Sequence, residues 1–132
     1  PIMMRLQSDL LELIEAALDG ELDQTEVRWN PRPALGVVMA ARHYPDTPQI
    51  GDVIDGLNTP APLGSKIFHA STTIHQHQIL TSGGRVLCAC ALGDTVADAQ
   101  RLAYEAAGEI SWEGEFHRKD IGWRAIAREK NK

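Results

Sequence analysis

The sequence lacks any apolar stretch of the roughly 18 residues that a membrane-spanning helix needs. It also lacks the basic start and unbroken apolar run of a secretory signal, because Arg5, Gln7 and Asp9 interrupt its first segment. We therefore expect no membrane contact and a cytoplasmic location.

Cysteine is nearly absent, and the two that occur, Cys88 and Cys90, lie two positions apart in an apolar run. In a β-strand both side chains would point to the same face, where a disulfide between them would be strained. We expect reduced, buried thiols rather than a redox or metal centre.

Positive charge is also scarce. With 13 basic and 18 acidic side chains, the formal net charge is −5. Such a chain repels a phosphate backbone unless its cations are gathered on one face. The composition therefore predicts no nucleic-acid partner.

Motifs of familiar active sites are missing as well, since there is no Walker-type phosphate loop and no serine in a glycine-flanked nucleophile elbow. His75 and His77 would share a face of an extended segment, with His69 and His43 as distant third ligands. No acidic residue or cysteine stands at ligand spacing, so we interpret these histidines as exposed residues of a polar, turn-like segment at 72–78. The sequence predicts no catalytic residue and no metal ligand.

Hydrophobic periodicity predicts an α+β fold in two parts. Apolar residues at steps of three and four predict an amphipathic helix over residues 2–18, ended by Gly20. Because the apolar face of this helix needs a surface to cover, we expect the chain to be part of a longer protein. A polar connector follows, which places a domain boundary between residues 1–32 and 33–132.

The second part has the pattern of short antiparallel strands with one packed helix. Residues 85–92, the most apolar segment of the chain, predict a buried core strand. Thr95 and Asp98 form a capping pair that predicts a helix over residues 96–109. Other strands are expected at residues 35–41, 53–54, 67–70 and 79–81.

The densest group of cations lies near the end of the sequence, at Arg118, Lys119 and Arg124. Charge-assisted hydrogen bonds from such side chains suit a phosphate, and Gly122 would let the backbone approach it. The alternative interpretation is a solvated basic tail, with Trp123 as a core residue.

A second candidate group is Gly83-Gly84-Arg85, at the start of the predicted core strand. Paired glycines expose backbone N–H groups, and an arginine beside them can reach an anion. The alternative interpretation is an ordinary two-glycine hairpin turn that enters a strand.

Six motifs, taken in order, resemble the C-terminal domain of glycinamide ribonucleotide synthetases (phosphoribosylamine-glycine ligases), which belong to the ATP-grasp superfamily. They are PALGVVMAA at 33–41, GDVI at 51–54, FHA at 68–70, GGRVLC at 83–88, ALGDTVA at 91–97 and RKDIGWRA at 118–125. Residues 1–6 and 8–10 resemble the last helix of the family's ATP-grasp module, so the resemblance covers essentially the whole chain.

The resemblance implies a small, barrel-like antiparallel β domain, a rudimentary hybrid motif, packed beside the N-terminal and ATP-grasp domains of the same enzyme. It implies that ATP phosphorylates glycine and that 5-phosphoribosylamine displaces the phosphate, which yields glycinamide ribonucleotide for purine (IMP) biosynthesis. The family's pocket for ATP and for Mg²⁺ or Mn²⁺ lies in sequence that would precede Pro1. We therefore expect a non-catalytic C-terminal part that is inactive alone and binds no cofactor itself.

By analogy with related enzymes of purine synthesis, the resemblance also implies that basic and glycine residues hold the phosphate of phosphoribosylamine. The candidates are Gly83, Gly84, Arg85, Lys119, Gly122 and Arg124. The sequence departs from the family pattern at His43 and Ser71, where glycine is usual, and at Cys90, which replaces a frequent threonine. The first two put the conformation of their loops in doubt, because glycine adopts backbone angles that other residues resist.

A function of another class stays open, namely a free-standing β-barrel binding or carrier module that bears a cofactor on a lysine at a hairpin tip. Lys66 is the only lysine before Lys119. Because Lys66 leads directly into an apolar run, it has the pattern of a strand start rather than of an exposed tip.

Overall fold

The computed structural model describes residues 1–131, which form an α+β fold. Its strands are β1 Ala34–Ala40, β2 Ser65–His69, β3 Thr72–His75, β4 Gln78–Thr81 and β5 Arg85–Leu92. Its helices are α1 Ile2–Arg5, α2 Leu10–Asp19, α3 Val96–Gly108 and α4 Trp123–Lys130, with a 3₁₀ turn at Leu22–Gln24. The predicted class, with antiparallel strands and a packed helix, is confirmed. Residue 132, the last of the predicted second domain, lies outside the described residues.

The predicted core strand at residues 85–92 is β5, with the same bounds. It lies in the middle of an antiparallel sheet with the order β1-β5-β2, so both of its edges are hydrogen-bonded. Residues 89–92 are all buried. β3 and β4 form a separate two-stranded sheet, and closure of the strands into a barrel stays a prediction.

One face of the three-stranded sheet is covered by α3. In the register of β1 and β5, Leu35 is paired with Ala91, and both belong to one buried cluster with Ala99 and Ala103 of the helix. Because these helical side chains are alanines, the helix backbone can approach the sheet closely. Larger side chains fill the other end of the core, including Met39, Leu87, Ile110 and Trp112.

The predicted helix at residues 96–109 is α3 and begins with the predicted capping pair. The Thr95 hydroxyl accepts a hydrogen bond from the Asp98 backbone N–H at 3.1 Å, and the Asp98 carboxylate accepts one from the Thr95 N–H at 3.3 Å. A cap of this kind contributes about 1 kcal/mol to helix stability.

Residues 72–78, predicted to be a turn-like segment, form most of a β-hairpin instead, so that prediction is wrong. β3 pairs with β4, and Gln76 and His77 make the turn with left-handed backbone angles. The β-branched residues of β3 favour a strand, although most of their side chains are exposed. The predicted strand at 53–54 is also wrong, because it is reduced to one isolated bridge between Val53 and Leu80.

The predicted continuous helix at residues 2–18 is divided into α1 and α2. Leu6 leaves the helix to form a bridge with Trp29, and the Asp9 carboxylate then caps the start of α2. The predicted stop at Gly20 is confirmed, since this residue adopts φ 75° at the end of α2. The pairing of Leu6 with Trp29, which interrupts the helix, cannot be predicted from hydrophobic periodicity.

α4 lies in the stretch that the sequence interpretation treated as a basic tail. Within residues 1–131 no helix is both long enough and apolar enough to cross a membrane.

Gly93 stands between β5 and α3, where a side chain would collide with the first turn of the helix. A Cβ atom at Gly93 would lie 2.2 Å from the backbone nitrogen of Ala99. We expect Gly93→Ala to lower the free energy of unfolding by about 1–3 kcal/mol, the usual cost of overpacking. Urea unfolding followed by circular dichroism measures this change.

Gly108→Ala is the matched control, because a Cβ atom at Gly108 would meet nothing within 4 Å. This substitution should change the free energy of unfolding by less than about 1 kcal/mol, in the stabilising direction. Equal losses in the two variants would contradict the packing of α3 described above.

Candidate functional site

The predicted cationic residues near the end of the chain surround a groove of about 380 Å³, here called the basic groove. It is lined in part by Arg118, Gly122, Trp123, Arg124 and Arg128. Lys119 is exposed in the same loop and is not among the lining residues.

The loop before α4 is held by side chains of α3. The Gln100 side-chain amide donates to the carbonyl of Ile121 at 2.7 Å, and the Tyr104 hydroxyl donates to the carbonyl of Arg118 at 2.6 Å. The Tyr104 hydroxyl also accepts from the backbone N–H of Ile121 at 3.1 Å. Gly122 has φ 88° and packs on Leu35, whose Cδ1 atom would lie 2.4 Å from an added Cβ. The position therefore requires glycine for both its backbone angle and its packing.

Arg118 is paired within the loop and Arg124 is not. The Arg118 guanidinium donates two hydrogen bonds to the Asp120 carboxylate, at 2.9 and 2.6 Å. These bonds lower the pKa of the Asp120 carboxyl and raise the pKa of Arg118. Among the described residues, neither Arg124 nor Arg128 forms an ion pair. Their guanidinium groups therefore have no direct carboxylate partner among these residues, although Asp120 also lines the groove.

Two further contacts order the arginines of the basic groove. The guanidinium of Arg124 lies 5.2 Å from the centre of the Trp123 ring, within the range of a cation–π interaction. The Arg128 side chain donates to the carbonyl of Arg124 at 3.3 Å. Trp123 is 54% exposed, so it supports Arg124 rather than filling the core as one interpretation of the sequence suggested.

Gly84 and Arg85 of the second predicted group line a cavity of about 550 Å³, here called the Arg85 cavity, and Gly83, which precedes them, is not among its lining residues. Tyr44 and Ser71 also line the cavity. A Cβ atom at Gly84 would lie 2.3 Å from the Tyr44 ring, and one at Gly83 would lie 2.9 Å from the Ser71 side chain. Because Gly83 and Gly84 have no side chains, Ser71 and Tyr44 can pack directly against the backbone. They do not form a hairpin turn, because β4 and β5 belong to different sheets.

The six predicted phosphate-binding residues fall into two separate places. Arg85 is opposite Ala40 at one end of β1, whereas Gly122 packs on Leu35 near the other end. At a rise of about 3.4 Å per residue, these two positions on β1 are about 17 Å apart. One phosphate cannot contact both backbone positions. Whether either group binds phosphate stays a prediction.

Sequence reasoning missed several residues of these two sites. Arg128 follows Arg124 by four residues, and this helical spacing was the signal that could have placed it on the same face. Tyr44 and Ser71 had no local signal, because they join the Arg85 cavity through tertiary packing. His43 adopts φ 67°, in the left-handed region that favours glycine, whereas Ser71 does not have a positive φ.

A metal centre and a cofactor-bearing lysine each need a particular local geometry. The part of the chain that the structure describes holds no group of three His, Cys, Asp or Glu side chains that could bind a metal ion. Lys66 lies inside β2, paired with Cys90, and its ammonium is 5.4 Å from the centre of the Phe68 ring. It does not lie at a hairpin tip, which disfavours the carrier module.

The fold and the two sites define a small α+β domain that carries several arginines around the start of α4 and a single arginine in the second cavity. Residues 34–124 match the family described as "Phosphoribosylglycinamide synthetase, C domain". The chain belongs to this family. The match includes β1, α3, Gly83, Gly84 and the predicted residues of the basic groove up to Arg124.

Longer relatives of this chain carry the name phosphoribosylamine-glycine ligase. The chain is 57% identical to phosphoribosylamine-glycine ligase of Vibrio cholerae, over 100% of this chain and 31% of that protein. It is 55% identical to the enzyme of the same name from Xanthomonas campestris pv. campestris, over 99% of this chain and 30% of that protein. The chain therefore spans about a third of the length of these relatives.

A solved structure agrees with the assignment. The crystal structure of phosphoribosylamine-glycine ligase from Thermotoga maritima matches with a TM-score of 0.64 and 35% sequence identity. The match covers 82% of this chain and 27% of that one.

The pairing of Arg118 with Asp120 gives a direct test of the geometry of the basic groove. Arg118→Ala should raise the pKa of the Asp120 carboxyl toward the ordinary value of about 3.9, because its two charge-assisted hydrogen bonds are lost. NMR titration of the carboxyl carbon of Asp120 measures this pKa. Arg101→Ala, which removes the partner of Glu105 on α3, is the control and should leave Asp120 unchanged. The same titration curve in all three proteins would refute the pairing.

Proposed function

We propose that the chain serves as the C domain of a phosphoribosylamine-glycine ligase. The proposed reaction joins glycine to 5-phosphoribosylamine, converts ATP to ADP and phosphate, and yields glycinamide ribonucleotide for purine biosynthesis. The family match over residues 34–124 carries this proposal, because it spans both cationic regions of the fold.

In this proposal, ATP and Mg²⁺ or Mn²⁺ are bound by other domains of the enzyme. The described residues do not fit a metal centre, since they hold no group of three possible ligands. The partners are the N-terminal and ATP-grasp domains of the same enzyme, with phosphoribosylamine and glycine as substrates. A cytoplasmic location and the lack of nucleic-acid and membrane partners stay predictions.

We also assign residues 1–32 to the end of the ATP-grasp module and residues 33–132 to the C domain, a rudimentary, barrel-like hybrid motif. The distribution of buried residues supports this division. Every buried residue of the described part follows residue 32. In α2 the apolar side chains of Leu11, Ile14 and Leu18 are 61%, 47% and 81% exposed. An apolar helix face of this kind suits a surface of the preceding module.

For the ribose phosphate of phosphoribosylamine, the basic groove is the better of the two candidate places. It combines Arg124 and Arg128, which have no carboxylate partner among residues 1–131, with the glycine that starts α4. Arg118, which is paired with Asp120, and Lys119 are two further cations in the preceding loop. The Arg85 cavity offers one arginine beside Gly83 and Gly84, so its cationic charge is smaller.

We expect Arg124→Ala in the full-length enzyme to raise KM for phosphoribosylamine by about 10- to 100-fold. A charge-assisted hydrogen bond contributes about 1.5–3 kcal/mol, which corresponds to that range. Steady-state kinetics with varied phosphoribosylamine measure the change, while KM for ATP should stay within about twofold.

Arg101→Ala and Arg85→Ala are the comparison variants. Arg101 pairs with Glu105 on the exposed side of α3, so its loss should leave KM unchanged. A larger rise with Arg85→Ala than with Arg124→Ala would move the phosphate to the Arg85 cavity. Unchanged KM in both variants would reject both places.

The isolated chain should not form ADP in a glycine-dependent reaction, because the proposal places the ATP site in other domains. A coupled assay for ADP, with phosphoribosylamine and glycine at saturating concentrations, measures this. The full-length enzyme in the same assay is the positive control. Turnover by the isolated chain, purified from a host that lacks its own enzyme, would contradict the proposed division of labour.

A further inference from the structure

Cys88 and Cys90 lie on the face of the sheet opposite α3, and the proposed ligase function does not use them. Their Sγ atoms are 3.5 Å apart, because alternate residues of β5 point to the same face. Gly36 is paired with Cys90 on the neighbouring strand. A Cβ atom at Gly36 would lie 3.0 Å from the sulfur of Cys90 and 3.1 Å from that of Cys88. It would also lie 3.1 Å from the Cγ atom of Pro1, so the two sulfurs and Pro1 occupy the space that a side chain at Gly36 would take.

A disulfide does not suit this pair. Two residues along a strand separate the Cα atoms by about 6.7 Å, at the upper end of the range of about 4.4–6.8 Å that disulfides span. Both cysteines are free. Closing the bond would bend β5, which is hydrogen-bonded to a strand on each side. The two sulfurs therefore persist as a dithiol.

The distance between the sulfurs selects the geometry of an atom that could bridge them. With bonds of about 2.3 Å to each sulfur, a separation of 3.5 Å gives an angle of about 100° at the bridging atom. Linear coordination would need the sulfurs about 4.6 Å apart. Tetrahedral zinc needs more ligands, and residues 1–131 place no third one beside the pair. A pyramidal trivalent atom that brings its own third substituent fits both observations.

Solvent reaches the pair through Cys88. Cys88 is partly exposed and lines the Arg85 cavity, whereas Cys90 is buried. The hydrogen bond from Cys88 lowers the pKa of Cys90 to about 6, and the same bond, together with burial, raises the pKa of Cys88. At neutral pH the two sulfurs therefore share one proton, and the pair contains a thiolate, the nucleophilic form of cysteine.

We propose that Cys88 and Cys90 form a bidentate thiol site for trivalent arsenicals. An organoarsenic oxide, R–As=O, reacts with both sulfurs: the As=O bond breaks, two As–S bonds form, and the oxygen leaves as water with the one proton that the pair holds and one proton taken from solvent. Arsenic stays trivalent, so the step needs no oxidant or reductant. The site is independent of the proposed ligase activity.

The test uses the purified, reduced chain and phenylarsine oxide, followed by intact mass under native conditions. We expect one phenylarsenic group per chain and the loss of both maleimide-reactive thiols. Because two linked bonds raise the apparent affinity by about 10²- to 10⁴-fold, removal by 2-mercaptoethanol should need at least about a hundredfold higher concentration than in Cys88→Ser. The dithiol 2,3-dimercaptopropanol should remove the group from the unsubstituted chain at low concentration.

Cys88→Ser keeps the buried thiol and Cys90→Ser keeps the partly exposed one, so together they measure one-bond attachment at each position. Circular dichroism checks that each variant is folded. Equal resistance to 2-mercaptoethanol in the unsubstituted chain and a folded variant would overturn the proposal. So would two arsenic groups on one chain, or a group that binds only in urea. If neither variant folds, equal potency of the monothiol and the dithiol on the unsubstituted chain would overturn it as well.

Discussion

The close packing of α3 on β5 and β1 is the constraint on which the rest of the structure depends. It is possible because the facing side chains are small, with Ala91 on the strand and Ala99 and Ala103 on the helix. Gly93 lets the chain leave β5 with the backbone of α3 within a few ångströms. Dispersion contacts weaken quickly with distance, so small residues at the closest point bring the larger ones of the surrounding core into contact.

The same helix positions the basic groove. Gln100 and Tyr104 come from the side of α3 that faces the loop, and their hydrogen bonds hold backbone atoms of residues 118–121. This loop leads into α4, which carries Arg124 and Arg128, so these arginines follow a segment whose backbone is tied to the core. Such ordering lowers the entropy lost when they bind an anion. The basic groove and the Arg85 cavity are both attached to β1 and β5, so the length of this strand pair sets the distance between them.

Where the decisive information was local, the sequence predicted the structure well. β5 is apolar throughout and bounded by glycines, and α3 carries its own capping pair, so both were predicted nearly to the residue. The errors arose where a distant partner decides the conformation. The break at Leu6 depends on Trp29, and the β3–β4 hairpin depends on pairing between two polar segments. The candidate sites follow the same rule. The residues within each group are adjacent in sequence, but the distance between the two groups along β1 depends on the tertiary structure.

Successive side chains of β5 point to opposite faces of the sheet. Ala89 and Ala91 face the core and α3, whereas Cys88 and Cys90 face the other side, next to Gly36. A shift of the strand by one residue would exchange these faces, placing the sulfurs under the helix and the alanines outside. The register that permits the close approach of α3 is therefore also the register that aligns the two thiols. The same strand register therefore determines both the packing of the core and the face on which the two thiols lie.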